Sequence, residues 1–109
     1  MPQAQFIQHG DCVDFTPAVD VAVGDVVVVG DLVGITKRDI KAETLGAIAV
    51  VGVFDVDKDA NDKFALGEKV YWDSVSNLAS IEEAGNKLLG KCVLASGPGN
   101  NKVRVRLSQ

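Results

Sequence analysis

The segment Gly24 to Thr36, GDVVVVGDLVGIT, constrains the fold more than any other stretch of this sequence. Val26 to Val29 is an unbroken β-branched run, and consecutive valines lose side-chain freedom in a helix while fitting the pleat of a strand. Gly30-Asp31 is a two-residue turn signal, after which Leu32 to Thr36 resumes the apolar pattern. This segment therefore predicts a tight β-hairpin.

Short apolar runs cut by Gly, Asn, Asp or Pro recur along the rest of the chain and predict further strands. These candidates are His9 to Phe15, Ala47 to Asp55, Lys69 to Trp72, Leu88 to Ala95 and Lys102 to Leu107. The only helical signal is Ser80 to Glu83, which has the Ser-x-x-Glu capping spacing but is cut by Gly85. Residues 36 to 46 are polar and indicate an excursion between strands.

These elements predict an all-β fold: one small β-barrel or sandwich of about six to eight short, mostly antiparallel strands, with at most one short helical turn. The 109 residues are a usual length for one domain. We expect an N-terminal arm over residues 1–8 and a single β domain over residues 9–109.

The charge balance, 15 acidic against 11 basic residues and a net charge of -4, disfavours nucleic acid and anionic membranes as partners. The opening residues lack the pattern of a signal peptide, and no apolar run approaches the length of a membrane span. Cys12 and Cys92 are too few for a disulfide framework or a four-ligand zinc site, so we expect small buried side chains. We therefore expect a soluble protein made in a cytoplasm.

The stretch Gly85 to Cys92, GNKLLGKC, resembles the phosphate-binding loop of an ATPase up to Lys91. Such a loop needs a buried strand before it and a helix after it, and a Ser or Thr hydroxyl for magnesium. Here Cys92 stands at the magnesium position, and Gly97 and Pro98 interrupt any following helix. We interpret the stretch as a turn at Gly85-Asn86 that leads into a strand, and predict no bound cofactor.

The acidic run Asp55 to Leu66 begins like a calcium-binding loop, with Asp55, Asp57 and Asp59 at the first, third and fifth positions. The required Gly and Glu are replaced by Ala60 and Leu66, so we predict a solvated loop and no metal site. His9 is the only histidine, and its surroundings mark no partnered nucleophile. The sequence thus offers no catalytic residue, and we predict that the protein is not an enzyme.

Three features are candidate interface sites. The uncharged arm carries the apolar pair Phe6 and Ile7. Tyr71 and Trp72 are neighbours in a predicted strand, so one ring should join the core and the other should lie outside it or in an interface. Lys102, Arg104 and Arg106 have a spacing of two, which predicts one basic strand face opposite Val103, Val105 and Leu107. This face is either solvated or meets an acidic neighbouring subunit.

Six stretches resemble, nearly from end to end over residues 6 to 107, a family of small tailed-phage and prophage capsid decoration, or cement, proteins. Members of this family also carry the label predicted RecA/RadA-family phage recombinase. The most specific pieces are the paired Gly24-Asp25 and Gly30-Asp31, the strand Gly52 to Phe54, and Gly67 through Asp73. The six stretches are FIQHGD, VAVGDVVVVGDLVGIT, VGVFDVDKD, FALGEKVYWD, GNKLLGKCVLA and KVRVRL.

The resemblance implies a structural virion protein that is made in the bacterial host cytoplasm, binds the major capsid protein on the outer capsid surface and stabilises the head. It also implies a homo-oligomer, most often a trimer at three-fold positions of the shell, with a dimer as the other option. Two alternatives remain: an ATP-dependent recombination factor that uses Gly85 to Lys91, and a head-completion or tail β interaction module.

Overall fold

The computed structural model describes residues 3–5 and 10–107, and every regular element in those ranges is a β-strand. The predicted all-β class is therefore confirmed, with nine strands in the described residues rather than six to eight. They are β1 Cys12–Phe15, β2 Val26–Val29, β3 Leu32–Thr36, β4 Gly46–Ala49, β5 Val53–Asp57, β6 Lys69–Asp73, β7 Leu78–Ser80, β8 Lys87–Leu94 and β9 Lys102–Leu107.

The strands form two antiparallel sheets that face each other as a sandwich and do not close into a barrel. One sheet has four strands in the order β1-β4-β3-β2, and the other has five in the order β5-β9-β8-β6-β7. β3 and β8 make the main contact between the sheets. Strands β2 and β5 each lie at the end of their own sheet.

The predicted hairpin is present with the predicted bounds. β2 and β3 pair from Val26 opposite Ile35 to Val29 opposite Leu32, and Gly30 turns the chain with a φ of 60°. The hairpin is anchored at its open end by Thr36, whose buried hydroxyl donates to the Ala22 carbonyl at 2.6 Å and accepts from the Asp25 amide at 2.9 Å. Local turn chemistry therefore determines this part of the fold.

The prediction of a single strand from Ala47 to Asp55 was wrong, because the chain passes from one sheet to the other within this segment. β4 ends at Ala49 in one sheet and β5 begins at Val53 in the other. Gly52 makes the crossing with a φ of 135°, a conformation that side chains disfavour, and its carbonyl accepts from the Leu107 amide at 2.9 Å. The apolar pattern continues across this break, so the pattern alone hides it.

Two shorter features also differ from the sequence predictions. The three-residue β7 was not predicted; it follows a turn at Asn77, a non-glycine residue with a φ of 58°. The Ser80 to Glu83 signal forms no helix, because the Ser80 hydroxyl accepts from the Glu82 amide at 3.0 Å in a local turn instead.

The core lies between the sheets and joins β3 to the inner face of the five-stranded sheet. Val33 and Ile35 of β3 belong to the same buried cluster as Leu89 and Cys92 of β8 and the inward residues of β9. Cys92 is buried as predicted, and Cys12 is half-buried. The buried cluster comprises Val33, Ile35, Val56, Phe64, Val70, Trp72, Ala79, Leu89, Cys92, Val103, Val105 and Leu107.

Gly90 is required where β8 approaches β9. A Cβ at this position would lie 2.0 Å from the main-chain oxygen of Arg106, a contact that only backbone movement could relieve. We predict that Gly90→Ala lowers the free energy of unfolding by about 1–3 kcal/mol or more, measured by urea denaturation.

The matched control is Gly97→Ala, because a Cβ at Gly97 meets no atom within 4 Å and its φ is unexceptional. We expect this variant to stay within roughly 0.5 kcal/mol of the parent protein. Equal stability of the two variants would contradict the close approach of β8 and β9.

Candidate functional site

The outer face of the five-stranded sheet is the candidate site, because it gathers the charged side chains that strand alternation turns away from the core. β9 alternates as the sequence predicts: Lys102, Arg104 and Arg106 are exposed. Val103, Val105 and Leu107 are at most 1% exposed and point into the core. The predicted basic strand face is therefore real.

Two of its three cations are neutralised by the neighbouring strand. In the β5–β9 register, Asp57 lies opposite Lys102 and Asp55 opposite Arg104. Lys102 Nζ contacts Asp57 Oδ1, and Arg104 bonds Asp55 through Nε at 2.9 Å and Nη2 at 3.3 Å. The interpretation of Asp55 and Asp57 as part of a solvated loop was thus wrong, since both lie on β5.

The ion pair between Arg104 and Asp55 persists at neutral pH. The hydrogen bond from Arg104 lowers the pKa of Asp55, and the same bond raises the pKa of Arg104. Because the carboxyl pKa is lowered on folding, the pair stabilises the fold above the ordinary aspartate pKa of about 3.9. This contribution is lost as the pH falls through the lowered value. Arg104 and Lys102 are therefore already partnered.

Arg106 belongs to a different arrangement, in which three cations lie side by side across three strands. Lys69 of β6 lies opposite Lys91 of β8, and Lys91 lies opposite Arg106 of β9. All three side chains are exposed on the outer face. We call Lys69, Lys91 and Arg106 the cationic row.

The cationic row has no acidic partner among the described residues. The ion pairs within residues 3–5 and 10–107 are Lys87–Asp31, Lys102–Asp57 and Arg104–Asp55, and none includes a member of the row. The residue opposite Arg106 on β5 is Val53, which is 56% exposed. Like charges directly opposite each other in a sheet repel, so the row destabilises the fold locally.

Tyr71 and Trp72 point to opposite faces as predicted, but the expectation that one of them is exposed was wrong, because both are buried, at 9% and 7% exposure. Trp72 joins the core between the sheets. Tyr71 points to the opposite face, where its hydroxyl donates to Glu83 Oε2 at 3.3 Å. Burial, together with the Glu83 carboxylate, raises the pKa of Tyr71. The hydroxyl of Tyr71 is therefore bound by a residue of the loop after β7.

The remaining predicted interface pair, Phe6 and Ile7, lies outside the described residues, as does His9. The two residues stay a prediction.

The segment resembling a phosphate loop is a turn followed by a strand, as the sequence interpretation predicts. Gly85 turns the chain with a φ of 78°, and β8 begins at Lys87. Gly90 and Lys91 pair with both β6 and β9, so their backbone amides face neighbouring strands and cannot form a phosphate cradle. Cys92 is buried, and its thiol donates to the Leu94 carbonyl at 3.0 Å.

The stretch that resembles a calcium loop holds a lysine where carbonyl oxygens converge. Lys58 is 4% exposed, and its Nζ donates to the main-chain oxygens of Asp62 at 2.7 Å, Asp59 at 3.2 Å and Gly97 at 3.3 Å. Within the described part of the chain, no three His, Cys, Asp or Glu side chains come together as a metal site. The ammonium group itself is the cation that these carbonyls bind.

An open cleft of about 540 Å³ separates the two sheets on the side of their end strands. Its walls come from β2 and β3 on one side and β5 on the other, and Trp72 also lines it. The polar lining residues include Asp25, Asp57 and Lys102.

The outer face can therefore bind carboxylates electrostatically. Sequence reasoning found Arg106 but missed Lys69 and Lys91. Neither lysine is adjacent to Arg106 in sequence, and only the register of three strands brings them together. A single sequence contains no signal for that register.

A protein-family model described as phage cement protein matches residues 7–107 of this chain. This range includes the nine strands found in the described residues. Comparison with curated proteins and with solved structures gives no match. No helix in the described residues is long and apolar enough to span a membrane.

The cationic row generates a stability prediction. Replacing its central member by Lys91→Gln removes repulsion from both sides, so we expect the free energy of unfolding to rise by about 0.2–1 kcal/mol at low salt. The gain should shrink at high ionic strength, where exposed charges are screened. Urea denaturation at two salt concentrations measures both effects.

Lys87→Gln on the same strand is the control. Lys87 Nζ contacts Asp31 Oδ1 at 2.7 Å, so its removal relieves no repulsion and should give no stabilisation. A Lys91→Gln protein that is no more stable than the parent would show that the row is not under electrostatic strain.

The buried lysine generates a second prediction. Lys58→Met removes the donor from three main-chain carbonyls and should lower the free energy of unfolding by about 1–3 kcal/mol. The control is Lys63→Met, because Lys63 is exposed and makes no hydrogen bond or ion pair in the described contacts. Thermal denaturation of the two variants measures the difference, and equal melting temperatures would contradict the role of Lys58.

Proposed function

This chain belongs to the phage cement protein family, and from that premise we propose that it is a structural virion protein that binds the outer capsid surface of a tailed phage and stabilises the head. The observation that carries the proposal is the family match over residues 7–107, which spans the entire β sandwich. The proposed partner is the major capsid protein, and the proposed location is the capsid surface, after synthesis in the host cytoplasm.

The sandwich suits a role in which contact, not reaction, is the function. Its inner faces form the core, while the charged outer face of the five-stranded sheet stays available. A shell presents the same surface many times, so contacts that are weak in one subunit become effective when subunits are linked. This supports a structural protein over an enzyme.

The β2 end of the four-stranded sheet supports self-association. β2 has one strand neighbour, and its four residues, Val26–Val29, include neither a charge nor a proline. Val28, Val29 and Leu32 remain between 37% and 47% exposed at this hairpin. Proteins usually protect such an edge, and an oligomer covers it.

We accordingly propose a homo-oligomer, with a trimer favoured over a dimer by the resemblance to capsid decoration proteins. The arm proposed for residues 1–8 would add contacts through Phe6 and Ile7, either to a neighbouring subunit or to the shell.

The proposal predicts saturable binding to capsids. Purified protein should co-sediment with expanded, undecorated capsids of the phage or prophage that encodes it, and bound heads should resist heating better than bare heads. Electron microscopy should then show many copies over the shell. Failure to co-sediment would contradict the proposal. A few copies at one vertex would instead indicate a head-completion or tail component.

A further inference from the structure

We propose that the cationic row, formed by Lys69, Lys91 and Arg106, is the docking site for an acidic segment of the major capsid protein. This inference rests on the proposed function and assigns a particular surface and a partner chemistry to it. The row is part of a sheet whose other face is the core, so the backbone positions of the three residues are fixed relative to one another.

The contrast within β9 separates the row from an ordinary solvated face. Lys102 and Arg104 each face an aspartate on β5, but the next outward position on β5 is Val53, opposite Arg106. Two of the three outward cations of β9 therefore face an aspartate on β5, and the third faces an apolar side chain. The residues next to Arg106 across the sheet, Lys91 and then Lys69, are cations as well.

Nearby carboxylates are engaged elsewhere. Asp55, the diagonal neighbour of Arg106, bonds Arg104, and the Glu68 carboxylate accepts from the Ala65 amide at 2.7 Å. Unpaired like charges on a β-sheet lower the stability of the fold. Such an arrangement is typical of a functional surface, where a partner supplies the opposite charges.

The dimensions and charges favour a short acidic segment over a polyanion. Adjacent strands lie about 5 Å apart, so the row extends roughly 10 Å and can bind two or three carboxylates of one extended segment. Arg106 adds a guanidinium fork that matches a carboxylate. Nucleic acid fits poorly, because the chain as a whole carries a net charge of -4 and would repel phosphates beyond the row.

The row also offers an apolar contact beside its charges. Val53 continues the row on β5 with 56% of its surface exposed. A partner segment that pairs carboxylates with the row could therefore place an apolar side chain on Val53. This contact at one end of the row would fix the orientation of the segment along it.

The test compares two triple variants that lose the same charge. The row variant changes all three members of the cationic row to Gln. The control variant changes three exposed cations of the polar excursion between β3 and β4, and these are Lys37, Arg38 and Lys41. Binding is measured by co-sedimentation with expanded capsids at low and at high salt.

We expect the row variant to bind roughly tenfold to a hundredfold more weakly at low salt, since three exposed ion pairs, each contributing roughly twofold to fivefold, multiply. Its affinity should also depend less on salt than that of the parent protein. The control variant should bind like the parent protein. The row variant should melt at the same or a higher temperature, so that weaker binding cannot be attributed to unfolding.

Equal binding of the row variant and the parent protein would overturn the inference while leaving the proposed function intact. Dissociation of the free oligomer in the row variant, seen by sedimentation velocity, would assign the row to a contact between copies of this chain and would also overturn it. If the parent protein itself fails to bind capsids, the proposed function fails, and the inference fails with it.

Discussion

The register between β8 and β9 is the constraint on which both faces of the five-stranded sheet depend. Side chains alternate with a period of two, so a slip of one residue would exchange the buried Val105 with the exposed Arg106. Gly90 allows the backbones of the two strands to approach closely at this point. The same register that buries the core also aligns the cationic row, so packing and surface charge have one structural origin.

Features that depend on neighbours in sequence were predictable. The β2–β3 hairpin and β9 have the predicted bounds, because turn residues and strict alternation mark them locally. The change of sheet at Gly52 was not predictable, since the apolar pattern of the sequence continues across it. The burial of Tyr71 was also missed, because it depends on tertiary contacts such as the one with Glu83, twelve residues further along the chain. Pairing partners and loop cover are tertiary properties that one sequence does not reveal.

The stretch from Gly85 to Cys92 shows how context decides the meaning of a pattern. Its glycine and lysine match a phosphate loop, yet each has another physical role in the sheet. Gly90 is needed for the approach of β9, and Lys91 is the centre of the cationic row. The residues that suggested nucleotide binding are therefore the residues that connect the core to the outer face.

Three groups of cations in the β sandwich have different surroundings, and the difference bears on function. Lys58 is buried and its charge is bound by carbonyl oxygens, so the fold satisfies a cation where burial would otherwise be costly. Lys102 and Arg104 face aspartates. The row alone combines rigid positions, exposure and mutual repulsion without a described acidic partner. Such repulsion lowers the stability of the free protein, and in the docking proposed above an acidic segment would relieve it, so that binding would also stabilise the subunit.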